Sequence, residues 1–299
     1  LKWGMMAESL GLVIEHLPGD WRHAVDPEAV EQHLRDDDEG RIKAVLMIHV
    51  DTATGIVSDV PAVRKAMNNA GHNALFMVDT IASLATMDFQ MDNWGVDVAL
   101  AASQKGLMCP PGLGFTACSE KAMHASQSAQ LPRNYWDWQD RMTEAQYIRF
   151  CGTAPIHLLY GLREALDMLA EEGLVATVAR HQRLSSAIRA AVATWCSGGD
   201  MAFNAVLPEQ RSNSITAIRV PTGFNAEDVR TMARERFQVS LGGGLDRLSG
   251  IVFRIGHMGD LNEPMILGAL GGVEATLQTL GVPHGRGGVS AAIDYLVEH

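Results

Sequence analysis

Two residues in this 299-residue chain have both the chemistry and the setting to act together, Asp79 and Lys105. Each follows an apolar, strand-like run. Ala74-Leu-Phe-Met-Val-Asp79 ends in a carboxylate, and Val96 to Ala102 leads into Ser103-Gln-Lys-Gly106 and the Gly/Pro-rich turn up to Gly114. Continuous apolar runs of this kind suit central strands of a sheet covered on both faces. A lysine at such a strand end either snorkels to water or has a chemical partner, because an unpaired ammonium is costly to bury. In an open α/β sheet the ligand crevice lies beyond the carboxyl ends of the strands, so both residues are delivered to one rim. A lysine that forms a Schiff base, with an acid that keeps a pyridine nitrogen protonated, is the pair that pyridoxal 5′-phosphate (PLP) chemistry requires. The plain alternatives are a snorkelling lysine and an aspartate that caps the segment after its strand.

A third charged residue interrupts another apolar run. Arg254 stands in Ile251-Val-Phe-Arg-Ile255, and a planar guanidinium fork binds a carboxylate through two parallel hydrogen bonds. It is the candidate for a substrate α-carboxylate; a structural salt bridge between domains is the alternative. Gly242-Gly-Gly244 lacks the G-x-G-x-x-G spacing of a phosphate loop and reads as a flexible turn approaching the site. Gly271-Gly272, by contrast, sits within a helical pattern and permits close packing.

Six segments, taken in order, resemble one family. They are His49-Val-Asp-Thr-Ala-Thr-Gly55, Val78-Asp-Thr-Ile-Ala-Ser-Leu84, Ser103-Gln-Lys-Gly106 with Pro110-Pro-Gly112, Pro132-Arg-Asn-Tyr-Trp-Asp-Trp138, Leu159-Tyr-Gly-Leu-Arg-Glu-Ala165 and Phe253-Arg-Ile-Gly-His-Met-Gly259. The set is similar to class V aminotransferases of PLP fold type I, and within them to serine–glyoxylate and alanine–glyoxylate aminotransferases, the former more closely. The likeness runs from about Trp3 to about Leu296. It implies that Lys105 holds the cofactor and carries a proton, that Asp79 pairs with the ring nitrogen, and that Thr52 bonds the ring oxygen. Gln104 matches a phosphate contact, and Thr153 matches a threonine that reaches the phosphate of a neighbouring subunit. A homodimer with shared active sites follows from that match. The likeness also has gaps. Val50-Asp51 stands where relatives carry Asn-Glu or Gly-Glu, so His49 and Asp51 are unassigned. Phe150 lies where some relatives have a phosphate-binding tyrosine. Against the family, about the first quarter of the protein is expected to lie outside this sequence, with the ring that stacks on the cofactor.

The implied reaction moves an amino group from a small L-amino acid, serine first, to the 2-oxo acid glyoxylate. Alanine and aspartate are open as donors. A cysteine desulfurase-like lyase would need a reactive cysteine over the cofactor, and none of the four cysteines stands in a matching segment. An inactive, truncated homologue that still dimerises is the non-enzymatic alternative.

The formal net charge of −11 and the lack of a Lys/Arg cluster argue against a nucleic-acid partner, which demands a basic surface. No apolar run reaches the length of a membrane span. Four scattered cysteines without a CxxC pair give no metal or redox motif and fit a cytoplasmic setting.

The elements expected to position these residues alternate up to about Gly173: a helix from Trp3 to Leu12, strands at Gly11–Glu15 and Ala44–His49, a helix from Val60 to Ala70, the strands before Asp79 and Lys105, and a return strand from Gly112 to Cys118. Alternation of this kind predicts an α/β layer with a largely parallel sheet, which the resemblance makes a seven-stranded type lacking its N-terminal part. A surface helix over Ser119–Gln130 and an irregular aromatic segment over Leu131–Thr153 follow, then helices over Pro155–Gly173 and Leu174–Trp195. Beyond them, strands at Ser212–Val220, Phe237–Leu241 and Ile251–Ile255, with helices at Asn225–Arg236 and Asn262–Leu280, predict a compact α+β module. The expected division is a large cofactor-binding domain over residues 1–173 and a small C-terminal domain over 174–299.

Overall fold

A computed structural model describes residues 2–145 and 147–299. Gln146, within the irregular aromatic segment, lies outside the described residues. The first sheet has four strands in the order β1 (Ala44–Ile48), β2 (Leu75–Asp79), β3 (Val98–Ala102), β4 (Gly114–Cys118). β1, β2 and β3 run parallel, with Ile48 beside Asp79 and Asp79 beside Leu100, and β4 returns antiparallel to β3. The ends of the three parallel strands therefore open onto one rim. Helices α2 (Pro27–Arg35) and α3 (Val60–Asn69) contribute Val30, Leu34, Val63 and Met67 to a core completed by Phe76 and Val78. Both helices begin on an aspartate cap followed by a proline: Asp26 accepts from Glu28 N and Asp59 from Ala62 N. Fixed φ and a satisfied first turn make these starts well defined.

The second sheet is antiparallel, in the order β5 (Ala202–Phe203), β6 (Ile215–Arg219), β8 (Val252–Gly256), β7 (Gly242–Gly243). α7 (Leu174–Cys196), α8 (Ala226–Phe237), α9 (Glu263–Thr279) and α10 (Gly288–Glu298) enclose its core of Ile188, Trp195, Ile218, Phe253 and Leu270. α6 (Ile156–Glu172) is separated from α7 by Gly173 at φ 83°. α1 (Lys2–Ser9), α4 (Glu120–Gln127) and the short α5 (Trp138–Arg141) complete the described helices. Asn204 Nδ2 donates to Thr54 O, and Ile56 forms a β-bridge with Arg211, so the loop after β1 is stitched to the second sheet.

Two expected strands are corrected. Gly11–Glu15 is irregular, and Val13 is 90% exposed; a strand needs a ladder partner, and none flanks this run. The first sheet thus has four strands among the described residues. Phe237–Leu241 is not a strand either. α8 runs to Phe237, the left-handed Gln238 (φ 58°) ends it, and pairing with β8 begins only at Gly242. α2, β5 and α10 have no counterpart among the expected elements.

Candidate active site

β2 ends on Asp79 itself, and the half-buried carboxylate takes one hydrogen bond, from Ile81 N to Oδ1 at 2.8 Å. It acts as the local cap expected of a strand-end aspartate, yet this uses only one oxygen. Burial raises its pKa; the Ile81 bond opposes that, Asp51 adds to it and Lys105 lowers it.

Lys105 sits in the tight turn after β3. Met108 N donates to Lys105 O (2.9 Å), Cys109 N to Ser103 O (3.0 Å), and Ser103 Oγ to Pro110 O (2.7 Å). Gly106 is what lets this turn lie against the segment after Asp79, since a Cβ there would stand 2.1 Å from Leu84 O. Met108 closes the turn at φ 59°, a region that a side chain enters only under constraint. The ammonium is half-buried, and its pKa is lowered by burial first and then by Arg254, with Asp79 raising it. No hydrogen bond enters that balance. The amine is thus partly desolvated and within electrostatic reach of the Arg254 guanidinium and the Asp79 carboxylate.

Arg254 reaches the same space from β8. Ala217 and Gly242 flank it in register. Its Nε donates to Gly243 O (2.7 Å) and Nη1 to Thr52 O (2.6 Å). The carbonyl of Thr52 thus joins the loop after β1 to the second sheet. Burial lowers the Arg254 pKa, while Asp51 opposes that loss. Of the Gly242–Gly244 segment, expected as a flexible turn, Gly242 and Gly243 form a short edge strand, and the absent side chain leaves room: a Cβ on Gly242 would lie 3.2 Å from Arg254 Nε.

The structure thus brings Thr52, Asp79, Lys105 and Arg254 together. Gln104 and Thr153 are exposed, Gln104 next to Lys105 and Thr153 ahead of α6. α6 has no side-chain cap, so Thr153 does not serve as its N-cap. Asp51 is the residue that sequence reasoning left out. Its Oδ1 accepts from Ala53 N (2.7 Å) and Thr54 N (2.9 Å), and its charge acts on both Asp79 and Arg254. The signal was available in Asp51-Thr-Ala-Thr-Gly55, an Asx-turn pattern. His49, buried, is tilted against Phe89 and edge-on to Trp94 (centroids 5.8 and 5.9 Å) just after β1.

An α/β sheet that presents a lysine and an aspartate at its rim, with an arginine from a second sheet, is the arrangement of fold type I aminotransferases. Solved structures share this fold. The ureidoglycine–glyoxylate aminotransferase of Bacillus subtilis superposes with a TM-score of 0.86 at 26% identity, covering 99% of this chain and 75% of that one. Residues 1–250 match the family described as aminotransferase class-V, and the chain belongs to that family. Serine–glyoxylate aminotransferase of Methylorubrum extorquens is 44% identical over 99% of this chain and 74% of its own length. L-aspartate–glyoxylate aminotransferase of Paracoccus denitrificans is 40% identical over 98% of this chain and 74% of its own length.

Proposed function

We propose that this protein is a PLP-dependent transaminase that moves the amino group of serine to glyoxylate, giving glycine and a 3-carbon keto acid. The observation that carries the reading is that the half-buried Lys105, in the turn after β3, is within electrostatic reach of both the Asp79 carboxylate at the end of β2 and the Arg254 guanidinium of β8. The likeness to serine–glyoxylate aminotransferases supports the donor and acceptor. Aspartate is the second donor to test, because a relative at 40% identity is named for it.

The residues present fit PLP. Asp79 has an oxygen left over after the Ile81 bond, and a buried carboxylate with a raised pKa is a costly anion until a cation stands against it. A protonated pyridine is such a cation. Lys105 would hold the group covalently, Asp79 its ring nitrogen, Thr52 its ring oxygen and Gln104 its phosphate, with Thr153 serving the site of a second copy. When bound, the group supplies an electron sink for the substrate carbanion and a carrier for the amino group.

The chain's own residues do the rest. Arg254 binds and orients the donor through its α-carboxylate, which fixes the Cα–H bond relative to Lys105. Burial and Arg254 both disfavour the Lys105 ammonium, which favours Nζ as the base that takes the Cα proton and returns it. The Asp51 carboxylate favours the charged guanidinium of Arg254 and offsets part of the cost of burying it. For three of the four thiols a desulfurase role is disfavoured. Burial raises Cys109, Cys118 and Cys196, the last to about 11, which holds them protonated.

We further assign the chain two domains meeting at Gly173, a cytoplasmic location in keeping with four unpaired cysteines, and a homodimer. The exposed Tyr135 (60%), Trp136 (70%), Tyr147 (72%) and Tyr160 (75%) around Thr153 form the face for the second subunit. Borohydride reduction of the PLP-loaded chain should leave a stable adduct on the peptide containing Lys105, absent in Lys105→Ala, which should also lose transamination. In a donor panel with glyoxylate, serine should exceed alanine and aspartate in kcat/KM by about tenfold. An adduct elsewhere removes the Lys105 assignment, and a higher value for aspartate or alanine changes the donor.

A further inference from the structure

The loop over residues 257–261 leaves β8 three residues after Arg254 and lies against the Lys105 turn and against a cluster that draws residues from the other two site-bearing loops. Met258 packs on a cluster of Val50, Ala82 and Ile215. Val50 immediately precedes Asp51 and Thr52, and Ala82 follows Asp79. Gly259 is at φ 93°, and a Cβ there would stand 3.2 Å from Met108 Cγ, in the turn that carries Lys105. The start of the loop is pinned to β6: His257 N donates to Ser214 O, its Nδ1 to Asn213 O, and Thr216 Oγ1 to its Nε2, each at 2.8 Å.

The other side of the loop is held by two adjacent residues of α7. Arg180 Nη1 donates to Gly259 O (2.9 Å) and Leu261 O (3.1 Å), while Glu172 grips the same guanidinium at 2.6 and 2.8 Å. His181 Nδ1 donates to Thr177 O (2.7 Å), which fixes the tautomer and leaves Nε2 to accept the Gly259 N–H at 3.0 Å. Both polar groups of Gly259 are thus engaged from α7. Met108, Glu172, Arg180 and Asp260 line one cleft, so the lysine turn and the α7 clamp are neighbours.

We infer that Arg180 and His181 are positioning residues, which seat loop 257–261 as a wedge that holds the Lys105 turn and the Arg254 strand in fixed relation. Neither residue reaches the Lys105 amine or the Arg254 fork; each acts through Gly259. A left-handed glycine anchored at its N–H, at its carbonyl and against Met108 cannot shift alone, so releasing one anchor frees the turn beyond it. The effect on catalysis rests on the function proposed above, whereas the mechanical coupling does not.

Hydrogen exchange of the full chain, read by mass spectrometry on peptides spanning 103–109 and 255–262, separates the two. His181→Leu and Arg180→Met should each speed exchange in both peptides by about tenfold, as loss of one net hydrogen bond implies. A peptide from α3 should keep its parental rate. His181→Gln places a neutral acceptor at the ε position and should restore protection. In steady state the donor KM of His181→Leu should rise about tenfold, with kcat changed much less, and His181→Gln should recover it. Faster exchange confined to 255–262, or equal acceleration in α3, overturns the coupling. A donor KM unmoved in a variant whose 103–109 peptide has loosened overturns the catalytic half. Should His181→Leu fail to fold, Arg180→Met and His181→Gln decide alone. A parent chain without transamination counts against the proposed function and leaves the exchange result standing.

Discussion

Arg254 is prepared for a ligand by groups that bind it from behind. Gly243 O and Thr52 O take Nε and Nη1 at 2.7 and 2.6 Å, which fixes the plane of the guanidinium before any carboxylate arrives. Pre-organisation of this kind lowers the entropy lost on binding. A lysine at this position could satisfy one carbonyl or one carboxylate oxygen but not hold the plane. Arg254→Lys should therefore raise the donor KM by roughly 10- to 100-fold, the loss of a charge-assisted hydrogen bond. Initial rates against serine concentration measure it, with kcat expected within a few-fold of the parent. An unmoved KM would give the carboxylate to another residue. Asp79, Lys105 and Arg254 were legible because each charge interrupts or ends an apolar run, where desolvation makes it conspicuous. Asp51 was marked only by its Asx-turn pattern, which names a turn and not a site, and Gly243 not at all, since a carbonyl acceptor leaves no trace in residue type.

Turns, more than strands, decide where these side chains go. The Lys105 turn lies on Leu84 O only because Gly106 has no side chain. Gly106→Ala should lower stability by roughly 1–3 kcal/mol, the usual cost of forcing an extra carbon into packed structure. It should also reduce the borohydride-trapped adduct, because the turn must move away from Asp79. Urea unfolding and the adduct yield check it. Gly271→Ala serves as the comparison, with no atom within 4 Å of the new carbon, and should be neutral or stabilising by about 0.5–1 kcal/mol in a helix interior. Normal stability and adduct yield in Gly106→Ala would show that the turn can relax in place. The close packing expected at Gly271-Gly272 belongs to Gly272 alone, where a Cβ would meet Val239 Cγ2 at 2.5 Å. β1, β2 and β3 were readable from continuous apolar runs, and α6 from the near-3.6-residue spacing of Leu158, Leu162, Ala165 and Leu169. The Gly11–Glu15 strand was misread for a physical reason: an apolar run states a preference, but the ladder partner that makes a strand lies elsewhere in the chain.

Across the whole molecule, three buried imidazoles set how the fold responds to acid. Burial lowers the pKa of His49 to about 4 and of His257 to about 3, and it lowers that of His181. In the unfolded chain each titrates near 6.5. As pH falls below about 6.5 the unfolded state takes up protons that the folded state refuses. Each imidazole then removes up to about 1.4 kcal/mol of stability per pH unit, until its folded value is reached. Above pH 7 these groups contribute no slope. Asp79 works in the opposite sense, because its pKa is raised, and it offsets part of the loss only near and below that raised value. His49 tests the account in isolation. Its Nδ1 is buried with no hydrogen-bond partner, and its ring packs near Phe89 and Trp94. His49→Phe keeps an aromatic ring in that setting and removes the titrating atom. Its urea-unfolding free energy should match or exceed the parent's at pH 7. By pH 5 its advantage should grow by about 2 kcal/mol, because the parent alone loses the His49 contribution over that interval. Parallel pH profiles for the two proteins would mean that the folded state protonates His49 as readily as the unfolded chain does. That result would require a proton acceptor beside Nδ1, in conflict with the apolar enclosure between β1 and Trp94.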